Sequence, residues 1–292
     1  MSSSIDYKIA IPSYKREKTI QSKTLSVLER HGIDARKIQV FVNDQEEGEY
    51  EKYRKSLDGN DYSKGIEIVR GVPTIGKQRN FIEKYYDEGT CLMMFDDDIE
   101  EVQRKEGKKL VPVDNLEEEL IIRGFEECQK NNAKTFGIYA SSNPFFMSHR
   151  VYTKLCYIIA STFGVICEKD TFLERITNHG EDYEYSIRQY IKNGAVVRLD
   201  DITVKSNYYK EVGGLQEIRT KEYVHDSIKI IADKFPDYCT MYIRKTTGNA
   251  ELRLKDKTLK KAPKKGNAMT IEQMRKANTQ SEKLNANSNF KH

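Results

Sequence analysis

Cysteines are few in this 292-residue chain, and they are not spaced for a metal ribbon or a disulfide framework. There are 5 of them, an odd number, and no Cys-x-x-Cys pair occurs. This pattern disfavours a disulfide-stabilised secreted module and a zinc ribbon, and it is typical of a reducing compartment.

Long apolar runs are also missing. The longest, residues 155–160 with the sequence LCYIIA, is far shorter than the ~18 apolar residues that a membrane-spanning helix needs. Residues 1–6 lack the basic region and apolar core of a signal peptide. We therefore expect a soluble cytoplasmic protein without membrane contact.

Neither sign of charge dominates the whole chain, but the two signs are unevenly distributed. The net charge is +4, from 49 Lys and Arg against 45 Asp and Glu. Residues 253–292 hold 11 of the basic and only 3 of the acidic residues, whereas residues 1–252 hold 38 basic and 42 acidic residues. A mildly acidic body followed by a basic segment suggests that contacts with a polyanion are concentrated in the C-terminal region.

The first hundred residues alternate between apolar runs and amphipathic segments. The runs predict strands at residues 7–12, 37–42, 66–69 and 91–95, and the amphipathic segments predict helices at 19–29 and 76–86. Continuous apolar strands alternating with helices are typical of an α/β fold whose parallel sheet is covered on both faces. In such sheets ligands bind at the carboxyl ends of the strands.

The remaining pattern is looser. Residues 45–64 read as a charged surface loop with room for a short helix. Further helices are predicted at 116–130 and 183–192, and further strands at 135–139, 157–160, 163–167 and 195–199. We expect one α/β domain over residues 1–250 and a basic, partly disordered tail over residues 251–292.

The strongest chemical signal is the triplet Asp96, Asp97 and Asp98, which directly follows the fourth predicted strand. Three adjacent carboxylates repel one another unless a cation is bound. Asp96 and Asp98 point to the same side of an extended chain, and hard carboxylate oxygens suit Mg²⁺ or Mn²⁺ rather than zinc. The alternative is a solvated acidic turn, because acidic side chains are mostly exposed.

Three further segments have residues that suit a nucleotide site. The first strand ends in IPSYKR at residues 11–16, GKQRN at residues 76–80 opens a helix whose N-terminus suits a diphosphate, and GED at residues 180–182 places two carboxylates at another helix start. Each is weak alone: Gly-Lys-x-Arg is not a Walker loop, and the charges in these segments are also compatible with an ordinary solvated surface.

The order of these segments resembles the GT-A-fold glycosyltransferases that use nucleotide sugars. The resemblance covers about residues 7–210 and rests on Ile-Pro-Ser-Tyr-x-Arg, Gly-x-x-Arg-Asn, Asp-x-Asp and a later Glu-Asp. Within that superfamily the chain looks most like the TET-associated, phage-type enzymes that are thought to glycosylate hypermodified DNA bases. The resemblance implies a Rossmann-like GT-A sheet flanked by helices, and the host cytoplasm as location if the chain is phage-encoded.

The resemblance also implies roles for individual residues, which we carry over by position. Asp96 and Asp98 would hold Mn²⁺ or Mg²⁺ and the diphosphate of a UDP-sugar donor. The other implied donor contacts are Ser13, Arg16, Asp44, Lys77, Arg79 and Asp97. Glu181 and Asp182 match the acidic pair, in which Asp182 would be the general base of an inverting enzyme. His225 is a candidate late metal ligand, although a single histidine is more often structural.

The acceptor is predicted from the basic tail. Lys260, Lys261, Lys264 and Lys265 could follow a phosphate backbone in a salt-sensitive contact. Together with this contact, the resemblance to the TET-associated enzymes implies a hydroxylated or hydroxymethylated pyrimidine in DNA as the acceptor. A solubilising tail is the alternative. The other functions that we keep open are transfer to a saccharide or protein, nucleotidyl transfer, and non-catalytic nucleic-acid binding on a transferase-like scaffold.

Overall fold

The computed structural model describes residues 5–43, 48–206 and 220–255. Asp44 and the lysines at positions 260, 261, 264 and 265 lie outside these residues, as does all of the predicted tail beyond residue 255. None of the helices in the described part is long and apolar enough to cross a membrane.

Thirteen strands and seven α-helices make up the described fold. The strands are β1 Tyr7–Ser13, β2 Ile38–Asn43, β3 Glu67–Gly71, β4 Cys91–Phe95, β5 Ile99–Glu106, β6 Lys109–Pro112, β7 Thr135–Ile138, β8 Val151–Tyr152, β9 Thr162–Ile166, β10 Val197–Leu199, β11 Ile202–Ser206, β12 Cys239–Ile243 and β13 Ala250–Leu254. The helices are α1 Glu17–Ile20, α2 Ser26–Arg30, α3 Glu49–Asp58, α4 Ile75–Tyr85, α5 Arg123–Lys130, α6 Glu181–Asn193 and α7 Lys221–Lys234. A π-helical segment, Gln21–Leu25, joins α1 to α2, and another, Glu117–Ile122, precedes α5.

Eight strands form the central sheet, in the order β3-β2-β1-β4-β9-β7-β10-β8. The first four are parallel. Strand β9 is antiparallel to both β4 and β7, so β7 runs in the same direction as β4. Strand β10 is parallel to β7, and β8 is antiparallel to β10. The carboxyl ends of β1, β2, β4 and β7 therefore lie at one edge of the sheet.

The buried side chains of successive strand residues alternate between two cores. In β1, Ile9 and Ile11 belong to one hydrophobic cluster and Ala10 to the other, as the two-residue period of a strand requires. Helices α1, α2, α3 and α5 contribute to the first cluster, and helices α4, α6 and α7 contribute to the second. The predicted mixed α/β architecture with helices on both faces is confirmed.

The structure confirms one local prediction in part and contradicts another. Residues 45–64 contain the ten-residue helix α3, whose Tyr53 and Leu57 are buried four residues apart on an otherwise polar helix. Residues 157–160, predicted as a strand, pair with no strand of the described sheets. Their apolar run reflects burial of Ile158 and Ala160, because a short apolar run indicates burial without specifying strand geometry.

The elements that the sequence did not predict are mostly polar. Strands β5 and β6 form a hairpin around Gly107, which has a φ of 58°, and β11 pairs antiparallel with β5. Helix α7 precedes the hairpin of β12 and β13. Strand β13 runs across residue 250, where we placed the boundary between domain and tail, and Leu252 is buried in the second cluster.

Candidate functional site

The carboxyl ends of the neighbouring strands β1 and β4 lie side by side, and polar residues stand at both ends. Their parallel register pairs Ala10 with Met94, so three residues further along Ser13 reaches the aspartate triplet. Ser13 Oγ donates to Asp97 Oδ2 at 2.5 Å and lies 2.7 Å from the hydroxyl of Tyr53. The first strand end and the Asp96–Asp98 turn, 84 residues apart in the sequence, therefore form one site.

Asp97 is buried and connects the residues at the end of β1. It is 4% exposed, and Arg16 Nη1 donates to its Oδ1 at 3.0 Å. The hydroxyl of Tyr53, on α3, accepts from the Arg16 backbone N–H at 2.9 Å. Burial raises the pKa of Asp97, and the bonds from Arg16 and Ser13 oppose that rise. Ser13, Arg16 and Asp97 are thus bonded to one another, and their contact with a nucleotide stays a prediction.

Asp98 lies beside Asp97 and Arg16 and contacts the three-stranded sheet of β11, β5 and β6. Ser206, at the end of β11, donates to its Oδ1 at 3.1 Å, and Arg16 Nη1 lies 3.8 Å from its Oδ2. The backbone of the turn is held by Thr24, whose hydroxyl donates to the Asp96 carbonyl at 2.7 Å and accepts from the Ile99 N–H at 3.0 Å. Sequence reasoning missed Thr24 and Ser206, because single hydroxyl residues outside a motif have no distinctive signal.

Arg79 connects the aspartate turn to the second acidic motif. This residue, on α4, is 4% exposed, and its Nη2 donates to Asp96 Oδ1 at 2.8 Å and to the Ala160 carbonyl at 2.9 Å. Its Nη1 donates to Glu181 Oε1, at the start of α6. Residues from β4, α4 and α6 are thereby joined through a single guanidinium.

The pKa of Asp96 is shifted strongly by these surroundings. Burial raises it to about 7, Arg79 opposes the rise, and the charges of Asp98 and Asp97 add to it. Its side chain is nevertheless 33% exposed, so solvent and ligands can reach it. A bound cation would favour the ionised form of such a carboxylate.

The ion network continues behind Glu181. Arg175 Nε lies 2.9 Å from Glu181 Oε2, and Arg175 Nη1 donates to Glu83 Oε1 at 2.8 Å. Tyr185 donates its hydroxyl to the other Glu83 oxygen at 2.9 Å, and its ring lies 3.6 Å from the Arg175 guanidinium. These residues were not predicted, since Arg175 precedes the acidic motif without any pattern that marks it.

Asp182 is a second carboxylate that is only partly buried. Tyr157 donates its hydroxyl to Asp182 Oδ2, and the Tyr183 N–H donates to Oδ1 at 3.0 Å. Burial, followed by the charge of Glu181, raises the pKa of Asp182 to about 6, while the Tyr157 bond and Arg79 oppose the rise. A carboxyl with a pKa near the working pH is suited to take up a proton.

Backbone conformation and limited space explain why a glycine precedes this acidic pair. Gly180 caps α6 with a φ of 71°, and a Cβ there would lie 2.9 Å from Ile228 Cδ1. A side chain would therefore be strained by the backbone and would also clash with α7. The Gly-Glu-Asp motif is what lets the helix start against α7 with Glu181 directed at Arg79.

The carboxylates fit a divalent cation that is shared with a substrate. Within the described ranges, no three His, Cys, Asp or Glu side chains are grouped to enclose a metal ion. Mg²⁺ is usually held by one or two carboxylates together with phosphates and water. Asp98 and the partly exposed Asp96 supply hard oxygen ligands of that kind.

Two predicted residues lie at the surface. Lys77, in the first turn of α4, is exposed. The side chain of His225, on α7, is 48% exposed and lies 3.3 Å from Asp226. The structure gives neither residue a bond to Asp96, Asp97 or Asp98, and their assignments to donor and metal stay predictions.

An exposed aromatic pair stands at the same edge of the sheet. Phe145 and Phe146, 83% and 60% exposed, lie in the loop that follows β7, with ring centroids 5.1 Å apart. Ser142 of this loop donates to the Val204 carbonyl at 2.8 Å. Val204 is two residues, or about 7 Å of extended strand, from the Ser206 that contacts Asp98, so Ser142 lies near the site. Pro144, next to the aromatic pair, accepts from Lys105, which lies at the other end of β5 from Ile99.

Known structures share this architecture. The chain is similar to S. aureus TarS residues 1–349 in complex with UDP-GlcNAc, with a TM-score of 0.52 and 15% identity. It is also similar to the mannosyltransferase PcManGT from Pyrobaculum calidifontis in complex with GDP-Man and Mn²⁺, with a TM-score of 0.51 and 9% identity. The fold is that of the GT-A glycosyltransferases.

Because the sequence identities are low and the matched chains are only partly covered, these similarities show the fold and nothing further. The alignments cover 78% and 77% of this chain, but only 65% and 63% of the two matched chains, which is less than two thirds of their length. No protein-family model matches the sequence, and no curated protein matches it.

Proposed function

We propose that the chain is a metal-dependent glycosyltransferase that moves a sugar from a nucleoside diphosphate sugar, with UDP as the expected nucleotide, to a hydroxyl group. The observation that carries this proposal is the buried Arg79, which joins Asp96 of the strand-end triplet to Glu181 of the second acidic motif. This link supports a phosphate-binding group and a proton acceptor lying close together. The complexes of the two similar structures with UDP-GlcNAc and with GDP-Man and Mn²⁺ support this donor class.

On the donor side, Asp98 and Asp96 would hold the divalent cation. That cation supplies positive charge next to the diphosphate, where negative charge develops as the sugar–phosphate bond breaks. Asp97 keeps Ser13 and Arg16 in place beside the turn through its two hydrogen bonds. The donor would thus meet a preorganised strand end, which avoids reorganisation during the reaction.

On the acceptor side, Asp182 would serve as general base in an inverting transfer. The acceptor O–H bond breaks and its proton passes to the Asp182 carboxylate, while the acceptor oxygen forms a bond to the anomeric carbon. The bond between that carbon and the phosphate oxygen breaks, and its electron pair leaves with the diphosphate. General base catalysis of this kind contributes typically ~10²–10⁴-fold in rate.

The acceptor that we propose is a hydroxylated or hydroxymethylated pyrimidine in DNA. Two features support it: the excess of basic residues in positions 253–292, and the motif order that resembles the TET-associated enzymes. The exposed pair Phe145 and Phe146, in the loop that follows β7, offers rings on which a base could stack.

The donor class is tested by thermal shift with a panel of UDP- and GDP-sugars in the presence of Mn²⁺. A donor at 100 times its Kd should stabilise the protein by about 2.7 kcal/mol. Asp98→Asn keeps an oxygen for Ser206 but loses the charge, so it should lose both the Mn²⁺-dependent shift and the release of UDP. The matched control is Asp61→Asn, whose side chain is 97% exposed and which should behave as wild type. A protein that no donor stabilises would contradict the proposal.

A further inference from the structure

Tyr157 is bonded to the carboxylate that the proposed function assigns as the base. Its hydroxyl donates to Asp182 Oδ2, while the backbone N–H of Tyr183 donates to Oδ1 at 3.0 Å. The two donors approach different oxygens, so they set the rotation of the carboxylate as well as its position.

The hydroxyl of Tyr157 is itself held in place by contacts on both sides. Its ring stacks on that of Tyr183, with centroids 4.2 Å apart and an angle of 28° between the planes. The next residue, Ile158, donates its N–H to Ser186 Oγ at 3.1 Å, and Ser186 Oγ donates to the Asp182 carbonyl at 2.7 Å. Both the side chain and the backbone of this segment are therefore fixed to the first turns of α6.

We propose that Tyr157 is the positioning residue of the base: it orients the Asp182 carboxylate and favours its ionised form, so that the carboxylate is ready to take the acceptor proton. This inference rests on the proposed function, because it needs Asp182 to act on the acceptor. Residues 157–160 pair with no strand of the described sheets. The same segment supplies the hydroxyl to Asp182 and, through Ala160, a carbonyl to Arg79.

The charges around Asp182 determine what this bond does. Glu181 on the same helix raises the pKa of Asp182, and Arg79 on α4 lowers it. Beyond Tyr183, the hairpin of β12 and β13 carries Arg244 and Glu251, which pair with each other at 2.6 Å. Burial and Glu181 together oppose ionisation, and the Tyr157 hydroxyl acts in the opposite direction.

The sign of the pH dependence follows from these contributions. Asp182 accepts a proton only when it is ionised, so activity should rise with pH through its pKa of about 6. Tyr157→Phe removes the donor to the charged form but keeps the ring and its stack. The pKa of Asp182 should therefore rise, and the acidic limb of the pH–rate profile should move to higher pH by about one to two units.

The experiment follows the release of UDP from a donor that stabilises the wild type, between pH 5 and pH 9 with Mn²⁺. Tyr157→Phe should lose activity mainly at low pH through kcat, with the KM for the donor unchanged. The matched control is Tyr7→Phe, because Tyr7 is also buried and donates to a carboxylate, Glu117, at 2.7 Å. Its profile should coincide with that of the wild type.

A second measurement does not depend on turnover. The loss of thermal stability caused by Tyr157→Phe should be larger above pH 7 than at pH 5, since the hydrogen bond is stronger when Asp182 is ionised. In an Asp182→Asn background this pH dependence should disappear. If Tyr157→Phe does not fold, Ser186→Ala removes the bridge between the Tyr157 segment and α6 and should shift the same limb by less.

The outcomes separate the two proposals. An unshifted acidic limb in Tyr157→Phe, together with a pH-independent loss of stability, overturns the role of Tyr157 and leaves the glycosyltransferase proposal standing. A wild type that binds no donor and releases no UDP overturns the proposed function. In that event, a pH-dependent stability difference that Asp182→Asn abolishes still supports the hydrogen bond that favours the ionised carboxylate.

Discussion

Arg79 is surrounded by the groups that the proposed reaction needs. Two carboxylates, Asp96 and Glu181, and the carbonyl of Ala160 accept from its guanidinium. The planar fork of arginine can reach several oxygens at once, which the single ammonium of a lysine cannot do in the same geometry. The residue thus sets the distance between the donor and acceptor halves of the cleft.

Replacing Arg79 with alanine should therefore be severe. Asp96 would lose its ion-pair partner and the buried Glu181 would keep only Arg175, and breaking a buried pair typically costs about 3–5 kcal/mol. Arg79→Lys should restore part of this stability but not UDP release. The measurement is urea unfolding beside the release assay. Arg36→Ala is the control, because Arg36 pairs with Asp34 at the surface, and Arg79→Ala being no less stable than this control would contradict the prediction.

Single residues also show how far the sequence could predict the site. Asp96, Asp98, Glu181 and Asp182 belong to motifs, and the motifs predicted that carboxylates gather at strand and helix ends. Tyr157 could not be found in that way, because its place beside Asp182 depends on where a chain segment 25 residues away is packed. A tyrosine in an apolar run carries no signal of its hydrogen-bond partner.

At the scale of elements, the loop after β7 is held firmly although its tip is exposed. Ser148 donates its N–H to the Asp200 carbonyl at 3.1 Å, and the Asp200 N–H donates to the Arg150 carbonyl at 3.0 Å. Met147, next to the aromatic pair, is buried. The loop therefore presents Phe145 and Phe146 from a base that is fixed to Asp200, just before β11, whereas Asp98 contacts Ser206 at the other end of that strand.

We expect Phe145→Ala combined with Phe146→Ala to weaken acceptor binding selectively. The melting temperature should stay close to that of the wild type, because exposed rings contribute little to the core. Affinity for single-stranded DNA should fall by a factor that corresponds to about 1–3 kcal/mol for each stacked base. The measurement is fluorescence anisotropy with an oligonucleotide, alongside donor hydrolysis, which should not change.

The control for this pair is Ile230→Ala, which removes an exposed apolar side chain, 50% exposed, from α7. Equal DNA affinity in the control and the double variant would show that the aromatic pair does not contact the acceptor. A saccharide that competes with DNA for the loop would identify a carbohydrate acceptor instead.

Elements with a clear hydrophobic pattern were predicted accurately, and elements without one were missed. Strands β1, β2 and β4 were predicted closely, because a strand buried on both faces is a continuous apolar run bounded by polar residues. Strand β5, with the sequence IEEVQRKE, was missed, since only Ile99 and Val102 are buried in it. Its pairing with β11 is a contact between segments that are about a hundred residues apart.

At the scale of the whole molecule, the charge asymmetry can be tested by truncation. The cut should follow residue 255 rather than 252, because β13 includes Ala250–Leu254 and the buried Leu252 packs in the second core. Residues 256–292 hold 9 Lys and Arg and 3 Asp and Glu. Removing them should leave the melting temperature and donor binding unchanged and should reduce DNA affinity and its dependence on salt.

The truncation is measured as DNA affinity at several salt concentrations, with the slope of log K against log salt as the readout. A shallower slope is expected, since fewer counterions are released when fewer phosphates are contacted. An unchanged slope would show that the basic segment is incidental and would favour a saccharide or protein acceptor. Loss of folding after the cut would contradict the placement of the structural boundary at β13.

The sequence by itself determined the fold class and the chemistry of the strand ends, because both depend on local patterns: apolar runs that alternate with helices, and carboxylates placed directly after them. Only the tertiary structure decided which of these groups meet. Asp97 turned out to be bonded to Ser13 and Arg16, and Arg79 was found between Asp96 and Glu181. These contacts join residues 17 positions apart, as for Arg79 and Asp96, or more than 80 positions apart, as for the others. They are set by the packing of strands and helices, and no local pattern encodes them.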